Sequence, residues 1–414
     1  MSGDAKPGRL AAIDALRGIA VLAVLVSHLP FSGAARPAEH DRVPVSLFPE
    51  WLVAVLDHGR FGVHLFLVIS GFCIHMAWAR KPDDADLDFL SFWRRRLHRL
   101  YPPYLATLLL SLLGLYVLHG VLGGATGGIA TKLGYASSTQ LAVDLVLLLL
   151  LAQNLNGASH RIGNGPFWTL ALEEQLYMLY FPLLWLRRRL GWSVAILAIA
   201  VTTIAWRAAA CLFPVSWQDA LLLVGPSRWF EWALGALAVE AYLGRVSLPS
   251  WTRSGLVGLG VLVLAVTAFN VPRLGVPIFA VVPYGDALFG VGLFVLVNYA
   301  CSVRWNEGTR VSHVSRFFGW VGSFSYSLYL THQIAIVAAK QVGLRIGFGA
   351  GGILILRIVL PIAGAWLFYQ TVERRFLNAS RARGGDRGTA NRVIAEGSVP
   401  DAPSLASSSK GAPS

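Results

Sequence analysis

Charge is scarce in this chain. Only 14% of its 414 residues are Asp, Glu, Lys or Arg, while 55% are hydrophobic and the mean hydropathy is +0.58. Soluble domains carry roughly 25% charged residues, so an ordinary soluble fold is excluded and the chain reads as a multi-span membrane protein. Acidic residues are scarcer still, 22 against 35 Lys and Arg, which leaves a formal charge of +13. Such an excess suits nucleic acid elsewhere. Here the basic residues gather in short clusters at the ends of apolar runs, where cytoplasmic loops of membrane proteins carry them, so nucleic acid is set aside as a partner. Cysteine is rare too: Cys73, Cys211 and Cys301 stand far apart in apolar sequence, which supports neither a disulfide framework nor a metal centre. No internal repeat is evident. Nor is there a cleavable signal peptide, since the first apolar run lacks a small-residue cleavage site and continues into Leu29, Pro30 and Phe31.

What is present is a series of apolar stretches near the bilayer length of roughly 20 residues. About ten are expected, near residues 12 to 31, 61 to 79, 101 to 121, 166 to 186, 192 to 212, 224 to 244, 255 to 270, 276 to 300, 319 to 340 and 350 to 371. The expected fold is thus an all-α integral membrane protein, with residues 9–375 forming one transmembrane domain and 376–414 a disordered cytoplasmic tail rich in Arg, Gly, Ser, Ala and Pro. Arg80, Lys81, Arg94, Arg95, Arg96 and Arg99 follow the second stretch and Arg187 to Arg189 the fourth, which puts both termini in the cytoplasm. Residues 141 to 154 are apolar enough to span, but counting them would place Arg187 to Arg189 outside. They are read as a re-entrant or interfacial helix.

The first apolar stretch contains RGIAVLAVLVSH, residues 17 to 28. Arg17 and His28 are close to three helical turns apart, so both leave one helix face, separated by about 16 Å along the axis. Ionisable groups at such depth cost a few kcal/mol and usually face a protein interior or a wet cavity. The alternative is structural, with Asp14 pairing Arg17 and His28 reaching the outer interface. FWTLALEEQLYMLYFP carries Glu173 and Glu174, with Tyr177 one turn beyond Glu173. Either these carboxylates pair structurally, or one orients a catalytic His. In SYSLYLTHQ, Tyr326, Tyr329 and His332 recur every third residue along one helix side. Ser70 and Gly71 of FLVISGF suit close helix packing; no nucleophile elbow surrounds the Ser. Arg96 and Arg99 of RRRLHRLYPPY are either positive-inside anchors or a pair of forks spaced to hold phosphates. Trp51, Asp57, His58, Asn154, Asn156 and Trp217, in stretches read as extracytoplasmic loops, offer ring faces and hydrogen bonds, as residues of any loop would, and single out no ligand.

Taken together, the Arg17 to His28 stretch, FLVISGF, RRRLHRLYP, NGPFWTLALEEQLYMLYFP and SYSLYLTHQ resemble the membrane acyltransferase 3 family of O-acyltransferases, over roughly residues 9 to 375. Thr169 and Leu176 depart from the family's usual Ser and Phe. The resemblance implies an enzyme of the bacterial inner membrane that moves an acyl group, foremost acetyl, from acyl-CoA to a hydroxyl of a saccharide or glycolipid. It implies no bound cofactor and no metal. By motif position it makes His28, Glu173 and Arg17 catalytic, with Glu173 orienting the His28 imidazole. Arg96, Arg99, Ser70, Gly71 and Phe72 would bind acyl-CoA, and Trp168, Tyr177, Tyr326 and His332 complete the site. From the residues alone, buried Arg, His and Glu at several depths also fit a proton-coupled transporter or a flippase of a lipid-linked sugar, and, with less purpose for each group, a scaffold.

Overall fold

A computed structural model describes residues 11–29, 49, 52, 56, 58–79, 88–157, 164–270, 282–303 and 310–377. The tail from 378 onward, Arg80, Lys81, Trp51 and Asp57 fall outside these residues. Among the described residues the structure is helical, with no strand. The principal helices are α1 (Ala11–Ser27), α2 (Gly62–Ala79), α3 (Phe89–Tyr116), α4 (Ser138–Leu149), α5 (Phe167–Ala210), α6 (Val215–Leu222) and α7 (Gly225–Tyr242). They continue with α8 (Gly255–Asn270), α9 (Val282–Ser302), α10 (Arg310–Ser323), α11 (Ser325–Arg345) and α12 (Ala350–Phe368). Among the described residues, five helical runs are long and apolar enough to cross a membrane, where the sequence suggested about ten: α2, α3 with its extension to Leu122, α5, α9, and α12 with its extension to Leu377. The other expected spans are shorter, as α1 and α8 are, or diluted by polar residues, as α7 is by Arg228, Glu231 and Glu240.

Two boundaries differ from expectation for local reasons. The basic segment ahead of residue 101 is the first part of α3: Asp88 caps it, accepting from the Ser91 N–H at 3.1 Å, and the helix runs through Pro102 and Pro103. The division between the stretches 166 to 186 and 192 to 212 is as expected: α5 is two helices meeting at a kink at Gly191, whose φ of 75° only glycine adopts without strain. The stretch 319 to 340 is split at Phe324 into the amphipathic α10 and the buried α11. Residues 141 to 154 form the 12-residue α4 and a short 3₁₀ turn, well below bilayer length.

Two glycine-to-glycine crossings set the register of the bundle. A Cβ on Gly18 would meet the Phe318 carbonyl oxygen at 2.0 Å, and one on Gly322 the Asp14 oxygen at 1.9 Å, so α1 and α10 touch backbone to backbone. In the same way Gly71 of α2 faces the Trp232 oxygen at 2.0 Å, and Gly235 of α7 faces the Val68 oxygen at 1.9 Å. Small residues allow such approach in membranes, where apolar burial gives helices little reason to associate. Each crossing sits one residue from a site group, Gly18 beside Arg17 and Gly71 beside Ser70. Gly235→Ala is expected to force α2 and α7 apart and to cost about 1–3 kcal/mol, as overpacking does. In a detergent melt it should lower Tm, whereas Gly260→Ala, whose added carbon meets nothing within 4 Å, should not.

Candidate functional site

Between α1, α2, α3, α5 and α11 lies a cavity of about 200 Å³. Arg17, Arg96 and Arg99 project into it from two helices, facing one carboxylate, Glu173. None of the three guanidiniums closes an ion pair with a described carboxylate. Arg96 lies instead over the rings of Phe92 and Tyr177, each centroid 5.6 Å away. Glu174 is turned aside and buried, accepting from the Trp93 indole at 3.1 Å. Glu373, in a π-helical turn ending α12, accepts from Ser327 N–H and hydroxyl at 3.1 and 2.5 Å. The cavity therefore keeps an excess of positive charge and unspent donors, which suits an anionic ligand rich in acceptor oxygens.

Ser70, from α2, donates to Glu173 Oε1 at 2.6 Å, and the Trp232 indole donates to Ser70 at 3.3 Å. Glu173 therefore does not orient His28. The expected partnership is replaced by a Ser70–Glu173 bond, because antiparallel packing of α1 against α2, with Gly59 and Gly62 against Ala23 and Ala20, sets Ser70 near the start of α1 and far from its end. His28 lies outside the cavity and is exposed. Its ring meets that of His332 at a centroid distance of 4.9 Å and an interplanar angle of 66°. His28 Nδ1 is 2.8 Å from the Val24 carbonyl, and His332 Nδ1 is 2.8 Å from that of Tyr329 and 3.2 Å from that of Leu328. Carbonyls only accept, so both Nδ1 atoms carry the proton in the neutral rings and both Nε2 atoms keep a lone pair.

Tyr329 stands between the two halves. Its ring lines the cavity on one side and lies 5.9 Å from the His332 ring on the other, with Phe66 edge-on at 5.5 Å. Thr169 Oγ1 is 2.8 Å from the Pro166 carbonyl and 2.7 Å from the Tyr329 hydroxyl. Its single proton serves the carbonyl, so Tyr329 donates to Thr169 and is held between the cavity and His332. Tyr326 and Tyr177 also line the cavity, Tyr326 donating to the Leu100 carbonyl at 2.8 Å. Besides His28 and His332, three of the expected residues do not. Gly71 is spent on the α7 crossing, Phe72 is 1% exposed within the core, and Trp168 packs in the bundle with its carbonyl taken by Asn154 at 2.7 Å. Asn154, read as a loop residue facing an acceptor, is likewise buried and bonded to backbone.

A family model described as "Acyltransferase domain", of the acyltransferase 3 type, matches residues 10–370. The chain belongs to this acyltransferase family. Acyltransferase MdmB of Streptomyces mycarofaciens is 26% identical over 388 residues, covering 88% of this chain and 91% of that one. A Bacillus subtilis (strain 168) protein, YrhL, named as a candidate peptidoglycan O-acetyltransferase, is 26% identical over 385 residues, 87% of this chain but 54% of its own length. Similarity to Staphylococcus aureus proteins named as candidate O-acetyltransferases extends over 210 residues, 46% of this chain and 28% of theirs, again at 26% identity. No solved structure matches.

The acyltransferase also contains charges that sequence reading passed over. His64 Nδ1 bonds Glu231 at 2.8 Å, and Asp286 pairs with Arg207 at 2.5 Å and with Arg228, which reaches Glu231 at 3.2 Å. Three turns along α2, His75 bridges Glu240 at 2.7 Å and the Tyr180 hydroxyl at 3.0 Å. The signal that singled out Arg17 and His28, an ionisable residue inside apolar sequence, applies equally to His64, His75, Glu231 and Glu240. His64, Glu231 and Asp286 present ligand atoms within 4.8 Å of one another, but two guanidiniums already neutralise both carboxylates, so the group reads as an ion-pair network tying α2, α5, α7 and α9. Asp286→Ala would strand the buried Arg207 and leave Arg228 with Glu231 alone, and is expected to cost about 3–5 kcal/mol. EDTA should leave the wild-type Tm unchanged; a chelator-dependent fall would mean a metal site.

Proposed function

We propose that this acyltransferase is a multi-pass protein of the bacterial cytoplasmic membrane that transfers an acyl group, acetyl foremost, from acyl-CoA to a saccharide hydroxyl. The observation that carries the reading is the division of the site by Tyr329: unpaired guanidiniums on one side, two imidazole lone pairs on the other. The donor's phosphates bind Arg96 and Arg99 at the cytoplasmic end of α3, since guanidinium forks take phosphate oxygens in a bidentate way. Arg17 holds the donor further in. Ser70 and Glu173 line its course, and Tyr329 leaves Thr169 to admit the thioester to His28. The acceptor comes from the opposite side, where His28 is exposed. Its hydroxyl attacks the thioester carbonyl while His28 Nε2 takes the proton, and CoA leaves as the thiol. A neutral imidazole is a suitable base for an unactivated alcohol at neutral pH. Names of the relatives support a glycan acceptor in part: one is called a peptidoglycan O-acetyltransferase candidate.

Transfer of label from radiolabelled acetyl-CoA to cell-envelope glycans should appear in membranes holding the wild-type protein. It should fall by about two to four orders of magnitude with His28→Ala; equal label from both would remove His28 from the chemistry. Cys73 supplies a binding test that needs no acceptor, because its thiol faces the same cavity as the three arginines. CoA should protect Cys73 from maleimide alkylation, and Arg96→Ala with Arg99→Ala should raise the CoA concentration needed by at least tenfold. Protection at unchanged CoA concentration after loss of both arginines would remove them from donor binding.

A further inference from the structure

His332 is 1% exposed, yet its Nε2 has no partner among the described residues. A buried nitrogen lone pair without a donor costs free energy, and such a group persists where something else is served. Its tautomer is not free to change, because the Tyr329 and Leu328 carbonyls hold the proton on Nδ1. The neighbouring ring is His28, whose Nδ1 edge is likewise occupied, by Val24. Among the described residues Nε2 is the ring nitrogen left uncommitted on both imidazoles, their centroids are 4.9 Å apart, and no carboxylate pairs with either. A histidine base elsewhere relies on an acidic partner to stabilise the cation it becomes. Here the partner carboxylate, Glu173, is bonded to Ser70 instead.

We propose that His332 is the second half of a two-imidazole base, a positioning residue whose orphan Nε2 accepts the N–H of the His28 cation. This rests on the acyl-transfer reading above. As the acceptor oxygen bonds to the thioester carbon, the hydroxyl proton moves to His28 Nε2, and the new N–H is shared between the acceptor oxygen and His332 Nε2. When the C–S bond breaks, the proton leaves on the CoA sulfur, and both imidazoles return to their neutral forms. A neutral partner lowers the cost of the transient cation without placing a permanent charge beside the arriving acyl group. It also explains why α11 carries the His three residues past Tyr329: the Tyr329 carbonyl fixes the His332 tautomer while its ring closes the passage, so ring displacement and base geometry belong to one turn of helix.

The test compares His332→Leu, which fills the space without an acceptor atom, with His332→Gln, which restores one, and adds exogenous imidazole to His332→Ala. The expected result is a fall in kcat of about a hundredfold for Leu. KM for acetyl-CoA and CoA protection of Cys73 should stay at wild-type values, Gln should recover at least a tenth of the activity, and imidazole should partly rescue Ala. A Leu variant with wild-type kcat overturns the proposal. So does equal loss in Leu and Gln with no rescue of Ala by imidazole, which would mark His332 as a packing residue. If His28→Ala abolishes transfer while His332→Leu does not, this proposal falls and the acyl-transfer reading stands. If wild type transfers no label from acetyl-CoA or longer acyl-CoA donors, both fall.

Discussion

A guanidinium inside a membrane protein must be met by an anion, a ring or water, and this one constraint sorts the charges of the whole bundle. Arg207 and Arg228 are met by Asp286 and Glu231. Arg187 is met by Glu240 at 3.7 Å and by the Trp78 ring at 4.9 Å. These pairs bind helices together and are closed to further chemistry. Arg17, Arg96 and Arg99 are the contrast: they line one cavity, none pairs with a carboxylate among the described residues, and Arg96 is met only by the Phe92 and Tyr177 rings. Their charge is therefore not balanced by carboxylates as that of Arg207 and Arg228 is, and the proposed function assigns it to an anionic donor.

The second consequence is geometric. Close crossings at Gly18–Gly322 and Gly71–Gly235 hold α1 and α2 in fixed register, so Arg17, Ser70 and Glu173 share one level while His28 and His332 share another. Acyl transfer across such a site needs a donor that reaches from one level to the other, and a barrier that opens only when it does. Tyr329, latched to Thr169, occupies the position such a barrier requires. Thr169 is also one of the two places where the chain departs from its family's usual pattern. Threonine retains the hydroxyl that the latch uses, so the departure leaves the contact intact.

Much of this was legible in the sequence, for identifiable reasons. Ionisable residues in apolar stretches announced Arg17, Glu173 and His332, and the spacing of Tyr326, Tyr329 and His332 correctly put them on one helix. The partnership of Glu173 with Ser70 was not legible, because it depends on the antiparallel register of α2, which no local pattern encodes. The apolar signal of α3 begins only near residue 101, yet the helix starts at Phe89 and continues through Pro102 and Pro103, which makes Arg96 and Arg99 helical residues that line the cavity. Gly71 and Phe72 follow a motif whose packing half is visible here, with only Ser70 facing the cavity. The His64 and His75 networks met the same criterion as the functional groups and became distinguishable from them only once their partners were known.

The most direct measurement is a cryo-electron microscopy structure of the full chain with a non-hydrolysable thioether analogue of acetyl-CoA. The account predicts phosphates on Arg96 and Arg99, the Tyr329 hydroxyl released from Thr169, and the carbon that stands for the thioester carbonyl beside His28 and His332. An analogue bound with its acyl end at Ser70 and Glu173, and Tyr329 still bonded to Thr169, would contradict it.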